Sequence, residues 1–335
     1  MSSVENSQVR ETVQAQLRPE WLQSQPETGF CHQALFYEGS EELVGLLARF
    51  VRAGLTMGDK VFVMLSAPKL RALQVVLGRD AGLVDYADMD LVGVNPARMI
   101  PLWASFAEQV RPGQRARGVG EPVTGSRRLA ELVECQLHES LLNVAFEKAS
   151  SFWLLCPYET GALAAPVLDE ARRSHAFVAS RSSVRIERGA FTTAEPGAAL
   201  AGEELAEPPA QARRFGVDAS SMASARQLVR ARAGKLGLGA DLAGDFALAV
   251  HEVIANSLKH GGGQGEVALW SDSEAVICEV SDKGYITDAL VGRRRPTSSG
   301  ESGRGLWMAN QLCDLVQIRT GAGGTRVRLH MRGRA

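Results

Sequence analysis

Around residues 190–212 the chain loses the means to build a core. The stretch AEPGAALAGEELAEPPAQA is dominated by Ala, Pro, Gly and Glu and holds no aromatic or β-branched residue. Such a segment cannot bury enough apolar surface to offset the entropy of ordering it, so it reads as a flexible linker. It divides 335 residues into two lengths that each suit a domain. The expected organisation is an N-terminal extension over 1–29, a first domain over 30–189, a linker over 190–212 and a second domain over 213–335.

Composition removes several classes of function. The net charge of −1, with acids and bases interspersed, lacks the basic surface that nonspecific nucleic-acid binding needs. No apolar run approaches the roughly 18 residues of a membrane span. The polar start MSSVENSQVRETVQAQLRPE lacks the apolar core of a signal peptide, so a cytoplasmic location is expected. Five scattered cysteines fit reduced thiols better than a disulfide framework.

The first half alternates helix and strand. Leu43, Leu46, Leu47, Phe50 and Val51 mark one amphipathic helix, followed after glycines by the continuous apolar strand Val61 to Leu65. Helices over 70–77, 100–110 and 129–149 and strands over 83–86 and 152–155 complete the pattern. Continuous apolar strands separated by helices predict an α/β domain whose largely parallel sheet is covered on both faces.

The second half reads differently. A short strand over 214–217 leads to a helix capped by Ser220 or Ser221. Strands over 266–270, 275–281, 315–320 and 325–331 have hairpin-like spacing, and the last two are joined by GAGG. With three helices, these strands predict an α+β two-layer sandwich.

Four features fall in order within it. HEVIANSLKHG places Glu252, Asn256 and His260 four residues apart, on one ridge of a helix. Asp282-Lys283-Gly284 follows a buried strand. Gly303-Arg304-Gly305 opens the helix that begins at Leu306, and Thr325 lies on the last strand pair. Each feature has a use in holding a nucleotide. An aspartate at a strand end can accept from an exocyclic amine such as adenine N6, and Gly284 lets a flat ring approach the backbone. Gly303 and Gly305 remove Cβ atoms where phosphates would lie and expose N–H groups at a helix start. Asn256 offers a neutral oxygen suited to Mg²⁺, and Glu252 a general base one turn away. Lys259 is within reach of a phosphate, although a solvated lysine explains it as well; His260 suits a helix C-terminus. An isolated Glu-x-x-x-Asn is usually a solvated face; the three ordered features downstream reverse that reading. No G-x-x-x-x-G-K-[ST] occurs anywhere, and Met308 stands where a dinucleotide fingerprint needs its third glycine.

On these motifs residues 213–331 resemble the GHKL (Bergerat) ATPase fold, and within it the anti-sigma-factor serine kinases of bacterial partner switching. HEVIANSLKHG is similar to the N box, DKG to the first glycine box, and GRGL (Gly303, Arg304, Gly305, Leu306) to the second. The resemblance implies that Glu252 activates a substrate serine, Asn256 holds Mg²⁺ and Asp282 binds the adenine of ATP. It implies an anti-anti-sigma antagonist as substrate, a sigma factor as second partner, and an ATP lid over 286–302 with Arg293, Arg294 and Arg295. Two alternatives stand beside the kinase: an ATP-binding module that sequesters a partner without catalysis, and an atypical histidine kinase whose acceptor would be His138. A homodimer is compatible with either.

Residues 30–160 resemble the MEDS sensory domain, through NPARMIPLW, GVGEP, ELVECQLHESLLNVAF and LLCPY. The resemblance implies a RecA/KaiC-like core without its phosphate loop. SAPKLRALQ, after the strand 61–65, indeed lacks the glycines that cradle phosphate. Sensing or docking is therefore expected, of a signal the sequence does not name. His138 and Glu139 beside Gly120–Pro122 are candidates to line a pocket. Cys135 and His138, at i and i+3, can supply two metal ligands, with Cys156 and Cys31–His32 to complete a set. Packing of buried thiols against the sheet is the preferred reading.

Overall fold

The computed structural model describes residues 29–149, 151–180, 187–188, 200, 204–296 and 303–333. The chain forms two compact units. One comprises residues 1–91, 103–128 and 146–192; the other comprises 92–102, 129–145 and 193–335. Two segments that precede the expected linker, 92–102 and 129–145, thus group by contact with the second unit.

The first unit is built on β1 (Gly29–Tyr37), β2 (Lys60–Leu65), β3 (Asp85–Asp88), β4 (Ala116–Gly120), β5 (Ser151–Glu159), β6 (Phe177–Ser180) and β7 (Glu187–Arg188). The sheet order is β3-β2-β4-β5-β1-β6-β7. All neighbours pair in parallel except β6 with β7. β1 and β5 are buried along nearly their whole length, as strands covered on both faces must be. Helix α1 (Gly39–Thr56) buries Leu43, Leu46, Leu47, Phe50, Val51 and Gly54, one stripe at helical spacing. Helix α2 (Ala67–Leu77) follows β2, and α3 (Met99–Glu108) precedes β4. On β4, Gly118 and Gly120 have no Cβ because the ring of Trp103 occupies that space. Arg117 is fully buried. Asp59 pairs with its Nη2 at 2.7 Å, and its guanidinium lies 4.7 Å from the Phe50 ring centroid and 4.8 Å from that of Trp153.

The second unit contains α4 (Leu129–Ala145), β8 (Arg213–Val217), α6 (Met222–Lys235), α7 (Ala240–His260), β9 (Gly265–Ser271), β10 (Ala275–Asp282), α8 (Arg304–Leu312), β11 (Leu315–Gly321) and β12 (Gly324–Arg332). Helix α5 (Ala165–Ser174) belongs to the first unit. The strands form one antiparallel sheet of order β11-β12-β10-β9-β8. Period-two alternation divides its faces. Val276, Cys278 and Val280 of β10, with Val327, Leu329 and Met331 of β12, share a core with α6, α7 and α8.

The other face carries Glu279 between Arg326 and Arg328, at 2.9 and 2.6 Å. Residues 204–212, expected to be free linker, lie on it. Arg326 donates to Leu205 O at 2.9 Å, Arg214 to Pro208 O at 3.2 Å, and Glu207 pairs with Arg326 at 3.0 Å. Leu200 and Leu205 are buried, so this composition does contribute apolar surface once arginines hold its carbonyls. The remaining residues of the expected linker lie outside the described residues.

The start of α6 also differs from expectation. Ser221 occupies the N-cap position but its side chain makes no capping bond, because its backbone is already helical. Asp218 organises the turn instead. Its Oδ1 accepts from the Ser220 and Ser221 backbone N–H groups at 3.0 and 2.9 Å and from both hydroxyls.

No helix among the described residues is long and apolar enough to cross a membrane. All five cysteines are buried and none is in a disulfide. Burial pushes the Cys31 thiol up to about 12 and raises those of Cys278 and Cys313 further, which suits inert packing groups.

Candidate functional site

The C-terminal half of α7 carries the first group of site residues. Glu252 and Asn256 are half-buried, one turn apart. Both meet the start of α8: a Cβ on Gly305 would come within 2.8 Å of Asn256 Nδ2 and 3.1 Å of Glu252 Oε2. Only a residue without a side chain lets the first turn of α8 approach this closely. Gly303, at φ +87, is the N-cap that turns the chain into α8. The unsatisfied N–H groups and positive dipole end of α8 therefore open beside a carboxylate and an amide.

The second group sits at the end of α7, roughly 12 Å beyond Glu252 and roughly 6 Å beyond Asn256 by helical rise. Asp282 closes β10, and its Oδ1 accepts from the Gly284 N–H at 2.7 Å. The carboxylate fills the space a Cβ on Gly261 would need. A Cβ on Gly284 would come within 2.8 Å of Asp282 Oδ1 and 2.9 Å of His260 O. Thr325, opposite Asp282 in the β10–β12 register, donates from Oγ1 to Gly284 O at 2.9 Å. Thr320 Oγ1 lies 3.0 Å from Thr325 Oγ1 and accepts from Ile286 N at 3.1 Å. The bend after β10 is thus fixed by backbone and hydroxyl bonds. A carboxylate has two oxygens, so Asp282 Oδ2 remains suited to a second donor.

Other expected residues take other positions. Lys259, His260 and Arg304 are exposed, and Leu306 packs into the core, so only its backbone can face a ligand. Gly261, Thr320 and Gly324 belong to the site but were not singled out in the sequence. The glycine run at 261–263 was the available signal for the first.

The expected lid is described as far as residue 296. Arg293 does not face solvent there. It is 2% exposed and pairs with Glu134 of α4 at 3.2 Å, and burial lowers its pKa. Arg319 Nη2 lies 2.8 Å from the other oxygen of Glu134. At the far end of α8, Arg98 donates to Asn310 O at 2.8 Å and Cys313 O at 2.7 Å, satisfying carbonyls the helix end leaves open.

Residues 215–331 match the family model of the histidine kinase-like ATPase domain. Residues 31–176 match that of MEDS, the MEthanogen/methylotroph, DcmR Sensory domain. The chain joins a MEDS domain to a histidine kinase-like ATPase domain. A solved structure of the RsbU and RsbW domains of Rv1364c from Mycobacterium tuberculosis is similar at 23% identity, with a TM-score of 0.29. The match covers 37% of this chain and 32% of that one, so the chain spans about a third of its length. No curated protein matches the chain.

The MEDS domain has its own polar centre at the carboxyl ends of β1, β4 and β5, the edge where parallel α/β sheets bind ligands. Tyr37 donates to Glu121 at 2.5 Å, and Lys69 Nζ lies 2.7 and 2.8 Å from the two Glu121 oxygens. Glu159 lies 3.4 Å from the Tyr37 hydroxyl. Burial raises the Glu121 pKa against the opposing charge of Lys69, and burial with the adjoining Glu121 raises that of Tyr37. His138 and Glu139, considered for this pocket from the sequence, are buried on α4, which groups with the second unit.

Proposed function

We propose that the ATPase domain binds Mg·ATP and transfers its γ-phosphoryl group to a serine or threonine of an antagonist protein, with MEDS as the sensory input. The observation that carries the reading is the meeting of Glu252 and Asn256 with Gly305 at the start of α8. A carboxylate, an amide and a helix N-terminus meet there, a set that would suit a base, a neutral metal ligand and an anion site. The donor set suits the expected groups. Asn256 would hold Mg²⁺, Asp282 would accept from adenine N6, and the backbone from Gly303 to Leu306 would take the phosphates. The bound metal would neutralise phosphate charge.

Glu252 would take the proton of the substrate hydroxyl as that oxygen bonds to the γ-phosphorus; the bond from γ-phosphorus to the bridging oxygen breaks and ADP leaves. Such transfer depends chiefly on positioning and electrostatics, so one base and a rigid cradle suffice. The antagonist would be an anti-anti-sigma-type protein, and its phosphorylation would alter the release of a sigma factor. His138 is 1% exposed, which places it poorly as an acceptor for a histidine kinase.

The test is a pair of variants. Glu252→Ala is expected to retain ATP binding and lose phosphoryl transfer to the antagonist, and Asp282→Ala to lose binding. Normal phosphorylation by Glu252→Ala would exclude it as the base. ATP binding without transfer in the wild-type chain, across candidate antagonists, would leave a nucleotide-gated binding module.

A further inference from the structure

Three chemically distinctive side chains converge within the first unit, away from the polar centre at its strand ends. His32 lies on β1, Cys156 on the adjacent β5, and His175 directly after α5, where the chain enters β6. They are 1%, 1% and 0% exposed. Cys156 Sγ is 3.3 Å from His32 Nε2, and the two imidazole centroids are 3.9 Å apart with planes at 37°. One ligand atom from each residue lies within 4.8 Å of the others. A tetrahedral ion with metal–nitrogen bonds near ~2.0 Å and a metal–sulfur bond near ~2.3 Å spaces its ligand atoms about 3.3–3.5 Å apart; Cys156 Sγ and His32 Nε2 already have this spacing, and a small inward shift closes the rest.

The orientation of His175 carries the argument further. Its Nδ1 lies 2.8 Å from Ala171 O and 3.1 Å from Ser174 Oγ. The carbonyl can only accept, so in the neutral ring Nδ1 bears the hydrogen and Nε2 the lone pair. A backbone carbonyl holding the far nitrogen is the support that metal-binding histidines have. The bland alternative, three core residues packed together, leaves it unexplained why two imidazoles and a thiol, rather than aliphatic side chains, fill this position. Thiols are weak hydrogen-bond partners for imidazole.

We propose that His32, Cys156 and His175 bind a thiophilic divalent cation, Zn²⁺ by the chemistry of the set. Two neutral nitrogens and one thiolate suit a borderline-soft ion and not Mg²⁺ or Ca²⁺. Binding releases the Cys156 proton, and the ion would tie β1, β5 and the end of α5 into one cross-link. The sensory domain would then carry a built metal site.

The full chain is stripped with chelator and titrated with Co²⁺, then with Zn²⁺ in competition. The expected result is one equivalent per chain, a thiolate-to-cobalt charge-transfer band, visible bands of tetrahedral Co²⁺, and a metal-dependent rise in Tm. Cys156→Ser is expected to lose the charge-transfer band. His32→Ala and His175→Ala should weaken binding by more than the ~100-fold that loss of an outer-shell partner costs. Cys135→Ser, outside the group, should keep band and stoichiometry. Urea unfolding of each variant with the wild-type m-value establishes that it is folded. Folded wild-type chain that takes up no Co²⁺ or Zn²⁺ overturns the proposal, as does a folded Cys156→Ser that keeps the charge-transfer band.

Discussion

Glu134 and Arg293 form a buried ion pair, 3.2 Å apart, in which a carboxylate of α4 holds the segment leading towards the Gly303 turn. Arg319 closes on the other oxygen of the same carboxylate at 2.8 Å. Removing Glu134 would leave two guanidinium groups facing each other in a dry site. Glu134→Ala is expected to cost the second unit about 3–5 kcal/mol, the usual penalty for stranding a buried charge. The triple variant Glu134→Leu with Arg293→Met and Arg319→Met, which strands neither guanidinium, should recover much of it. Urea denaturation of both variants checks this; equal losses would mean that the pair is not coupled.

Gly305→Ala separates binding from folding. Alanine improves helix propensity over glycine by about 1 kcal/mol, so α8 itself should gain. The added Cβ would nonetheless stand 2.8 Å from Asn256 Nδ2 and 3.1 Å from Glu252 Oε2, so both must shift. The Cβ would also stand 3.3 Å from the Glu252 backbone oxygen, which offsets the helix gain; the expected outcome is a chain that still folds, with ATP affinity weakened at least about tenfold, roughly 1.4 kcal/mol. Calorimetry reads the affinity; undiminished binding would mean that this approach does not shape the nucleotide site.

In the first unit Asp59→Ala should destabilise strongly. Its partner Arg117 is fully buried, and burial already lowers that guanidinium's pKa against the support of Asp59. The expected loss is about 3–5 kcal/mol, read by thermal or urea unfolding.

Asp218 gives a pH prediction. Hydrogen bonds from Ser220 and Ser221 depress its carboxyl to about 2, from the ordinary 3.8. A depressed folded pKa stabilises the fold above 3.8, and that contribution disappears as pH falls through about 2. Carbon-13 NMR titration of the Asp218 carboxyl should show a midpoint near 2, and Ser221→Ala should move it upward. A midpoint at the ordinary value would show that the turn does not hold in solution.

The second unit was largely legible because its strands alternate and its glycines mark close approaches. The bounds of its strands fall within about one residue of those expected, although the unit also takes in 92–102 and 129–145. In the first unit four strands escaped, one of them the two-residue β7. β1 carries His32 and Gln33 in its middle, which look like a break; both are buried, and Gln33 is stabilised by the Trp153 Nε1–H at 2.9 Å. β4 is five residues with two glycines and an arginine, and its identity depends on Trp103 from another element. β6 is only four residues long. For the metal ligands, the sequence offered Cys135 with His138, and Cys156 and Cys31–His32 to complete the set. The fold keeps His32 and Cys156 together but joins them to His175, more than a hundred residues from His32 and invisible to any local pattern. Arg293 looked like a phosphate-seeking arginine because nothing local discloses that Glu134 neutralises it.

The Asp282–Thr325 register is set at a hairpin whose Gly324, at φ +108, backs onto the Asp282 carbonyl with no room for a side chain. Slippage by a single residue would send Thr325 to the opposite face and put Arg326 across from Asp282. A cation would then stand where the purine edge is expected, and the acid would answer to it instead. Under the proposed role of Asp282, base selectivity in this domain would be partly a matter of strand alignment, decided by a turn that contributes no side chain to the pocket.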